Sequence, residues 1–208
     1  MPNLEWYQWN PFMFQKLNDI IKDGWIFADV GSNHGEFIDF FRTFRYNDIY
    51  AFELNPVTAE KLKIRYKEHS HIIIENYAVC DKDGEIDFYD GGEKTDDACH
   101  NILGHNMQFE NTKKLGTVKS IKLDSYFNEI KINMMKIDVE GAELRVLKGM
   151  QNSIKNIDYI LIECHLDKDW PEIREILLSA GFSCTNFYDD TPITESHRPY
   201  QCFGSKLS

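Results

Sequence analysis

Four side chains that can accept protons or bind metal ions follow two apolar stretches in the second half of the chain. Asp138 and Glu140 belong to the segment MKIDVEGAE, and Glu163 and His165 belong to the segment YILIECH. Carboxylates gathered in one place repel each other unless a cation, a ligand or the nearby Lys136 offsets their charge. A histidine beside two carboxylates is a better candidate for a base or a ligand than a lone histidine. These residues therefore predict a site for acid–base or metal chemistry.

The segment FADVGSNHGEF has the glycine spacing of a loop that holds a nucleotide cofactor. Gly31 and Gly35 allow a tight turn and a close approach of the backbone to the cofactor. The dinucleotide fingerprint GxGxxG requires a glycine where this chain has Asn33. The observed pattern, Asp-x-Gly-x-x-x-Gly from Asp29, therefore favours a cofactor without a pyrophosphate, such as S-adenosylmethionine.

Polar residues after the next two apolar stretches suit the rest of such a cofactor. Glu53 directly follows the apolar run Tyr50-Ala51-Phe52. An acidic side chain at the end of the second strand can accept hydrogen bonds from both hydroxyl groups of a ribose. Residues 76–78 follow the third stretch, and we expect them to line the adenine pocket.

Apolar stretches alternate with segments of helical spacing along the chain. The pattern predicts strands at 25–30, 48–53, 71–75, 118–123, 133–138 and 158–163, and helices at 36–44, 56–68, 142–150 and 170–180. Residues 78–89 hold two short extended runs around a tight turn at Asp83-Gly84, and residues 182–203 supply a last pair of strands. Alternation of this kind predicts an α/β fold, with a mostly parallel sheet and helices on both faces. Ligands bind such sheets beyond the carboxyl ends of the strands, where the candidate residues lie.

Composition restricts the class of protein and its partners. The 208 residues suit one domain, and the net charge of −11 at pH 7 disfavours nucleic acids and anionic membranes as partners. The five cysteines include no CxxC pair, which favours reduced thiols in a cytosolic compartment. We expect a cytoplasmic protein, because the sequence shows neither a signal peptide nor an apolar run long enough to span a membrane.

The ordered set of motifs resembles the FkbM-type methyltransferases. The motifs are FADVGSNHGEF, IYAFELNP, IENYAVCDKDGEIDFY, VKSIKLDSYF, MMKIDVEGAELRVLKGM and YILIECH, within residues 25–180. The resemblance implies a Rossmann-like class I methyltransferase fold, a seven-stranded sheet whose last strand is antiparallel. It also implies methyl transfer to a hydroxyl oxygen, often of a sugar or a natural product, with S-adenosylmethionine lying against Asp29, Gly31, Gly35 and Glu53.

The residue patterns and the resemblance together give a set of expected cofactor contacts. These are Asp29, Gly31, Ser32, Asn33, Gly35, Glu53, Asn55, Asn76, Ala78 and Asp138.

Methyl transfer to a sugar hydroxyl needs a base or a metal ion, because the hydroxyl group is a weak acid. In one hypothesis, His165 or Asp138 is the general base and Glu163 orients the histidine. In the other, Asp138, Glu163 and His165 bind a divalent cation, for which oxygen ligands favour Mg or Mn. The expected catalytic residues are Asp138, Glu140, Glu163 and His165. Glu143 is expected only to stabilise the start of the next helix through the helix dipole.

Two segments depart from the alternation of strands and helices. Residues 1–24 are rich in aromatic side chains and predict a cap, or a helix packed over the sheet. Residues 91–117 are polar, and a segment of that length in a compact domain is usually functional or disordered, so we expect an acceptor-binding loop. His34 lies in the cofactor loop and is expected to face the acceptor. His100 and His105 lie in the polar segment, where a solvated position is the simpler explanation.

Three other functions are compatible with the sequence. The chain could be an NAD-binding oxidoreductase with a degenerate fingerprint, a methyltransferase acting on a hydroxyl of a non-sugar small molecule, or a fold that binds a ligand without catalysis. Asn33 and the absence of a Tyr-x-x-x-Lys motif argue against the oxidoreductase.

Overall fold

The computed structural model describes residues 11–90, 100–104, 113–196 and 198–206. Residues 1–10, His105 and most of the 91–117 segment lie outside these ranges. The strands are β1 (Ile26–Val30), β2 (Asp48–Phe52), β3 (Ile72–Glu75), β4 (Ala78–Val79), β5 (Gly84–Tyr89), β6 (Lys114–Ile121), β7 (Ile132–Ile137), β8 (Ile157–Glu163), β9 (Phe182–Asn186) and β10 (Gln201–Lys206). The α-helices are α1 (Pro11–Ile20), α2 (Glu36–Phe41), α3 (Pro56–Tyr66), α4 (Leu123–Phe127), α5 (Glu143–Lys148) and α6 (Trp170–Ser179).

Seven strands form one sheet in the order β3-β2-β1-β7-β8-β10-β9. The pairs β2–β3, β1–β2, β1–β7 and β7–β8 are parallel, whereas β10 runs antiparallel to both β8 and β9. The predicted sheet, seven-stranded and mostly parallel with an antiparallel last strand, is therefore confirmed. The chain leaves β1 towards β2 on one side and returns to β7 on the other, so the switch point for ligand binding lies between β1 and β7.

Apolar side chains cover both faces of this sheet. In β1, Ala28 and Val30 face a core shared with α4, α5 and α6, whereas Phe27 faces a core shared with α1, α2 and α3. Fully burying an aromatic or large aliphatic side chain contributes about 1.5–3 kcal/mol. Leu17 of α1 is completely buried in the second core, so this part of the 1–24 segment is a helix packed over the sheet.

Residues 78–89 hold two extended runs on either side of a turn, as predicted, and both runs belong to a second, three-stranded sheet. Both extended runs are strands, but β4 and β5 each pair with β6 rather than with each other. In the turn, the carboxylate of Asp83 accepts hydrogen bonds from the Lys122 amide and the Ser125 hydroxyl, both at 2.8 Å. These bonds hold the turn against the end of β6, which begins at Lys114 and so includes the last part of the 91–117 segment.

No helix within the described ranges is long and apolar enough to cross a lipid bilayer.

Candidate active site

The loop after β1 is held against the ends of β2 and β7. The amides of Gly31 and Ser32 both donate to the Phe52 carbonyl at 3.0 Å, and the Ser32 hydroxyl donates to the Asp29 carbonyl. Gly31 has φ +85°, and a Cβ atom there would lie 1.8 Å from the Asp138 carbonyl oxygen. The sequence predicted this glycine for close approach of a cofactor. In the structure, it also allows the end of β7 to approach the loop.

Glu53 lies at the end of β2 and organises this loop. Its carboxylate accepts hydrogen bonds from the amides of Asn33 and Asn55, both at 2.8 Å. Burial raises the pKa of Glu53 to about 7, although these two hydrogen bonds act in the opposite direction. Because the Asn33 amide is directed at Glu53, it does not contribute to a cradle for a pyrophosphate, which argues against a dinucleotide.

Two adjoining cavities open at this edge of the sheet, and Gly31, Leu54 and Val139 line both of them. The first, of about 310 Å³, is apolar and is lined by residues that include Phe52, Tyr77, Ala78 and Ile102. The second, of about 480 Å³, is lined by Asn33, Glu53, His100, Asp138 and Glu140. The pair suits a ligand with a flat apolar end and a polar end.

The expected cofactor contacts fall into two groups. Gly31, Asn33, Glu53, Ala78 and Asp138 line the cavities, and Asp29, Ser32, Gly35, Asn55 and Asn76 do not appear in their walls.

The second group supports the site through other contacts. Asn55 caps α3, because its side chain accepts the Val57 amide. Asn76 donates to the carbonyls of Glu53 and Leu54. Gly35 lies against α3, where a Cβ atom would be 2.8 Å from the Tyr66 hydroxyl.

The four residues expected to be catalytic converge at the ends of β7 and β8. His165 Nε2 lies 3.8 Å from Asp138, 3.7 Å from Glu140 and 3.6 Å from Glu163. The other ring nitrogen, Nδ1, lies 2.8 Å from Glu143 Oε1. The parallel pairing of β7 with β8 brings these side chains together, as the sequence predicted.

Glu143 has a larger role than the sequence suggested. It does begin α5, but it is almost fully buried, accepts the Gly141 amide at 2.9 Å and holds His165 Nδ1. The residue that orients His165 through Nδ1 is therefore Glu143 and not Glu163. The left-handed backbone of Glu140 (φ 54°) and Gly141 (φ 99°) turns the chain so that Glu143 points back to the site.

Buried charge dominates the electrostatics of this site. Burial alone would lower the pKa of His165, but the hydrogen bond to Glu143 and the charges of Glu143, Asp138 and Glu140 raise it to about 9. Burial raises the pKa of Glu140 to about 7 and also raises that of Glu163.

Lys136 offsets part of this negative charge from inside the sheet. Its ammonium group donates to the Gly31 carbonyl at 3.0 Å and lies 3.3 Å from Asp138 and 3.6 Å from Asp29. Burial would lower the pKa of Lys136, but the two carboxylates raise it, so the side chain is a fixed cation. It therefore links the cofactor loop to the cluster around His165.

The donor atoms of Asp138, Glu163 and His165 are close enough to share a metal ion. One atom from each residue can be chosen so that all lie within 4.8 Å of one another. Two carboxylates and one imidazole suit Mn or Mg. The hydrogen bond that Glu143 would accept from the far ring nitrogen is the outer contact that metal-binding histidines usually have.

Tyr200 and Gln201 lie beside the site and were not predicted from the sequence. They reach it because β10 is antiparallel to β8, which places Gln201 opposite Glu163. Gln201 donates to Glu163 at 3.1 Å, and the Tyr200 hydroxyl also hydrogen-bonds Glu163. The Tyr200 side chain is 57% exposed, so an aromatic surface adjoins the carboxylates. His34, by contrast, is exposed and is not among the residues that line the two cavities.

Comparison with solved structures shows the fold. The structure resembles a precorrin-6y C5,15-methyltransferase from Geobacter metallireducens (TM-score 0.52, 12% identity, 96% of this chain and 89% of that chain covered). It also resembles an S-adenosylmethionine-dependent O-methyltransferase from Thermotoga maritima (TM-score 0.53, 12% identity, 97% and 65% covered). At these identities, the likeness concerns the class I methyltransferase fold alone.

Comparison of the sequence shows the family. The chain is 30% identical over 156 residues to the hexuronic acid methyltransferase AglP of Haloferax volcanii. The aligned region is 74% of this chain and 62% of that protein, so the chain spans less than two thirds of its relative. The profile of the methyltransferase FkbM domain matches residues 29–184, which include the cofactor loop, Glu53 and the cluster around His165. The chain therefore belongs to the FkbM methyltransferase family.

Proposed function

We propose that this protein is an S-adenosylmethionine-dependent O-methyltransferase that acts on a hydroxyl group of a carbohydrate. The observation that carries the proposal is the position of the two cavities. They extend from an apolar wall at Phe52 to the polar wall at Asp138 and Glu140, next to His165. A methyl donor held there would lie beside groups able to take up a proton.

The residues around the cavities suit S-adenosylmethionine. The apolar cavity would take the adenine ring, and the Glu53 carboxylate would accept the ribose hydroxyl groups. Asn33 Oδ1 is buried, belongs to a residue of the polar cavity and has no hydrogen-bond partner among the described residues. A donor group on the bound cofactor would satisfy this acceptor. When bound, S-adenosylmethionine supplies an activated methyl group.

His165 is the best-placed general base for the acceptor hydroxyl. Glu143 holds Nδ1, so Nε2 faces Asp138 and Glu140, which line the polar cavity. During methyl transfer, Nε2 of a neutral His165 would take up the proton of the acceptor hydroxyl, and the raised pKa of about 9 means that this neutral form is populated at alkaline pH. Fixing the imidazole through its other nitrogen is the arrangement that catalytic triads use.

A metal ion is a second mechanism, favoured by the shared geometry of three side chains. Asp138, Glu163 and His165 would hold the ion, which would act as a Lewis acid and lower the pKa of a bound hydroxyl. The two mechanisms exclude each other, because Nε2 cannot both bind a metal and accept a proton. Methyl transfer that survives exhaustive chelation would exclude the metal mechanism. Full activity of His165→Ala would exclude a role for this histidine in either.

A sugar acceptor is supported by two observations. The Haloferax relative is a methyltransferase of hexuronic acid. In this chain, the exposed ring of Tyr200 lies next to Glu163, and aromatic rings pack well against the C–H faces of sugars. A hydroxyl of a non-sugar small molecule remains the alternative acceptor.

The test has two arms. In the first, calorimetry compares S-adenosylmethionine, S-adenosylhomocysteine and NAD as ligands. We expect the first two to bind, and binding of NAD alone would overturn the proposal. In the second, labelled S-adenosylmethionine is incubated with uronic acids, neutral glycosides and phenols, and mass spectrometry locates the label. Methylation confined to the phenols would refute the sugar assignment.

A further inference from the structure

The residues between the two undescribed parts of the polar segment form a short structure against the cavities. Asn101 is fully buried and exchanges backbone hydrogen bonds with Tyr89 of β5 in both directions, at 2.9 and 3.2 Å. Its side-chain oxygen accepts the amides of Leu103 and Gly104 at 3.0 and 3.1 Å. We call residues 100–104 the Asn101 segment. Its anchor to β5 fixes the positions of its neighbouring side chains.

His100 lies on the polar side of this segment. It lines the cavity that also contains Asn33 and Glu53. Both of its ring nitrogens are within 3.4 Å of Asn55 Nδ2. Asn55 caps α3, and its backbone amide donates a hydrogen bond to Glu53. His100 is therefore one residue away from the carboxylate proposed to bind the ribose.

Ile102 lies on the apolar side of the same segment. It is only 9% exposed, packs in a small core with Ala78 and Ala142, and lines the apolar cavity. The two side chains therefore reach the two cavities from one anchored turn. Asn101 lies between them in the sequence and supplies the backbone pairing.

We propose that the Asn101 segment binds the nucleoside part of the cofactor, with His100 against the ribose and Ile102 against the adenine. The inference rests on the proposed function, because it assumes the same ligand in the same cavities. It assigns to part of the 91–117 segment a role in cofactor binding, whereas the sequence suggested acceptor binding. His100 and Ile102 thereby join Glu53 and Ala78 as residues that select the nucleoside.

Calorimetric titration with S-adenosylhomocysteine and with 5′-methylthioadenosine tests this assignment. Both ligands contain adenine and ribose, but the second lacks the amino acid part. We expect His100→Ala and Ile102→Ala each to lower the affinity for both ligands about tenfold, which corresponds to about 1.4 kcal/mol of binding free energy. The matched controls are His71→Ala, a half-buried histidine before β3 that lines neither cavity, and Ile130→Ala, an isoleucine that is 38% exposed. Both controls should bind like the wild type.

The titrations distinguish a failure of the proposed function from a failure of the nucleoside assignment. If the wild-type protein binds neither ligand, the proposed function fails. If it binds both and the two variants lie within twofold of the wild type, the function stands and the role of the Asn101 segment is refuted. A loss confined to S-adenosylhomocysteine would place the contact on the amino acid part and refute the nucleoside assignment. Ile102→Val retains most of the packing and should keep the melting temperature of the wild type. A lower ligand affinity of this variant would therefore reflect binding and not folding.

Discussion

Replacing Gly31 by alanine should damage both folding and cofactor binding, and a second glycine allows the two causes to be separated. Gly31 and Gly24 have similar left-handed backbones, with φ +85° and +79°. A Cβ atom at position 24 has nothing within 4 Å, whereas one at position 31 would lie 1.8 Å from the Asp138 carbonyl oxygen. The pair Gly31→Ala and Gly24→Ala therefore differs in the steric contact and shares the backbone strain.

The expected free energies follow from these two contributions. A left-handed conformation costs an L-residue roughly 1–2 kcal/mol, and both variants should lose about this much stability. Gly31→Ala should lose a further 1–3 kcal/mol or so, since the obstacle is backbone and cannot rotate away. In a chain of this size, each kcal/mol lowers the melting temperature by roughly 2–4 °C.

Equilibrium unfolding in urea and titration with S-adenosylhomocysteine measure the two effects. We expect Gly24→Ala to bind the ligand like the wild type. Gly31→Ala should bind more weakly, because relief of the contact must move Asp138, which lines the polar cavity. Equal unfolding free energies for the two variants would refute the steric argument. Unchanged ligand affinity in Gly31→Ala would refute the link between this contact and the site.

Three further predictions concern individual side chains. Glu143→Gln should lower kcat about 10- to 100-fold at unchanged affinity for S-adenosylhomocysteine, because the hydrogen bond that orients His165 loses its charge; an unchanged kcat would contradict this. Tyr200→Ala should raise the KM for a sugar acceptor about tenfold, and Tyr200→Phe should not if ring packing is what matters. Burial raises the pKa of Glu53 from 4.5 to about 7, so S-adenosylhomocysteine should bind more weakly at pH 6 than at pH 8, and Glu53→Gln should lose this dependence. In the absence of ligand, the pH dependence of stability has the opposite sign, because the folded form retains a proton that the unfolded form releases. The contribution of Glu53 to the free energy of unfolding is therefore greatest below pH 4.5 and is lost as the pH rises through about 7. Urea unfolding of the wild type and of Glu53→Gln at several pH values would detect this loss.

The main sheet could be predicted because its signal is local. β1, β2, β7 and β8 are short apolar runs separated by helical segments, and parallel pairing follows from that alternation. The small sheet could not be predicted in the same way. β4 has only two residues, Ala78 and Val79, which is too short for a periodic pattern. It pairs with β6, which is distant in the sequence, as are Lys122 and Ser125, whose hydrogen bonds Asp83 accepts.

The site was partly predictable for a related reason. Residues at the carboxyl ends of parallel strands meet at one edge, so Glu53, Asp138 and His165 could be expected near each other. Glu143 was missed because its direction depends on the left-handed backbone of Glu140 and on the neighbouring strand. Sequence position alone does not show whether a polar residue faces a ligand or the backbone.

Hydrogen bonds join the ends of β1 and β7, where the cofactor loop meets the carboxylates. The Asp138 amide donates to the Val30 carbonyl at 3.0 Å, and Lys136 donates to the Gly31 carbonyl at the same distance. One backbone and one side-chain hydrogen bond therefore hold the cofactor loop beside the carboxylates. In-line transfer loses rate steeply when the reacting atoms are misplaced by about 1 Å. The absence of a Cβ atom at Gly31 permits this approach, so the residue that the sequence marked as part of a cofactor loop also determines how closely that loop lies to Asp138.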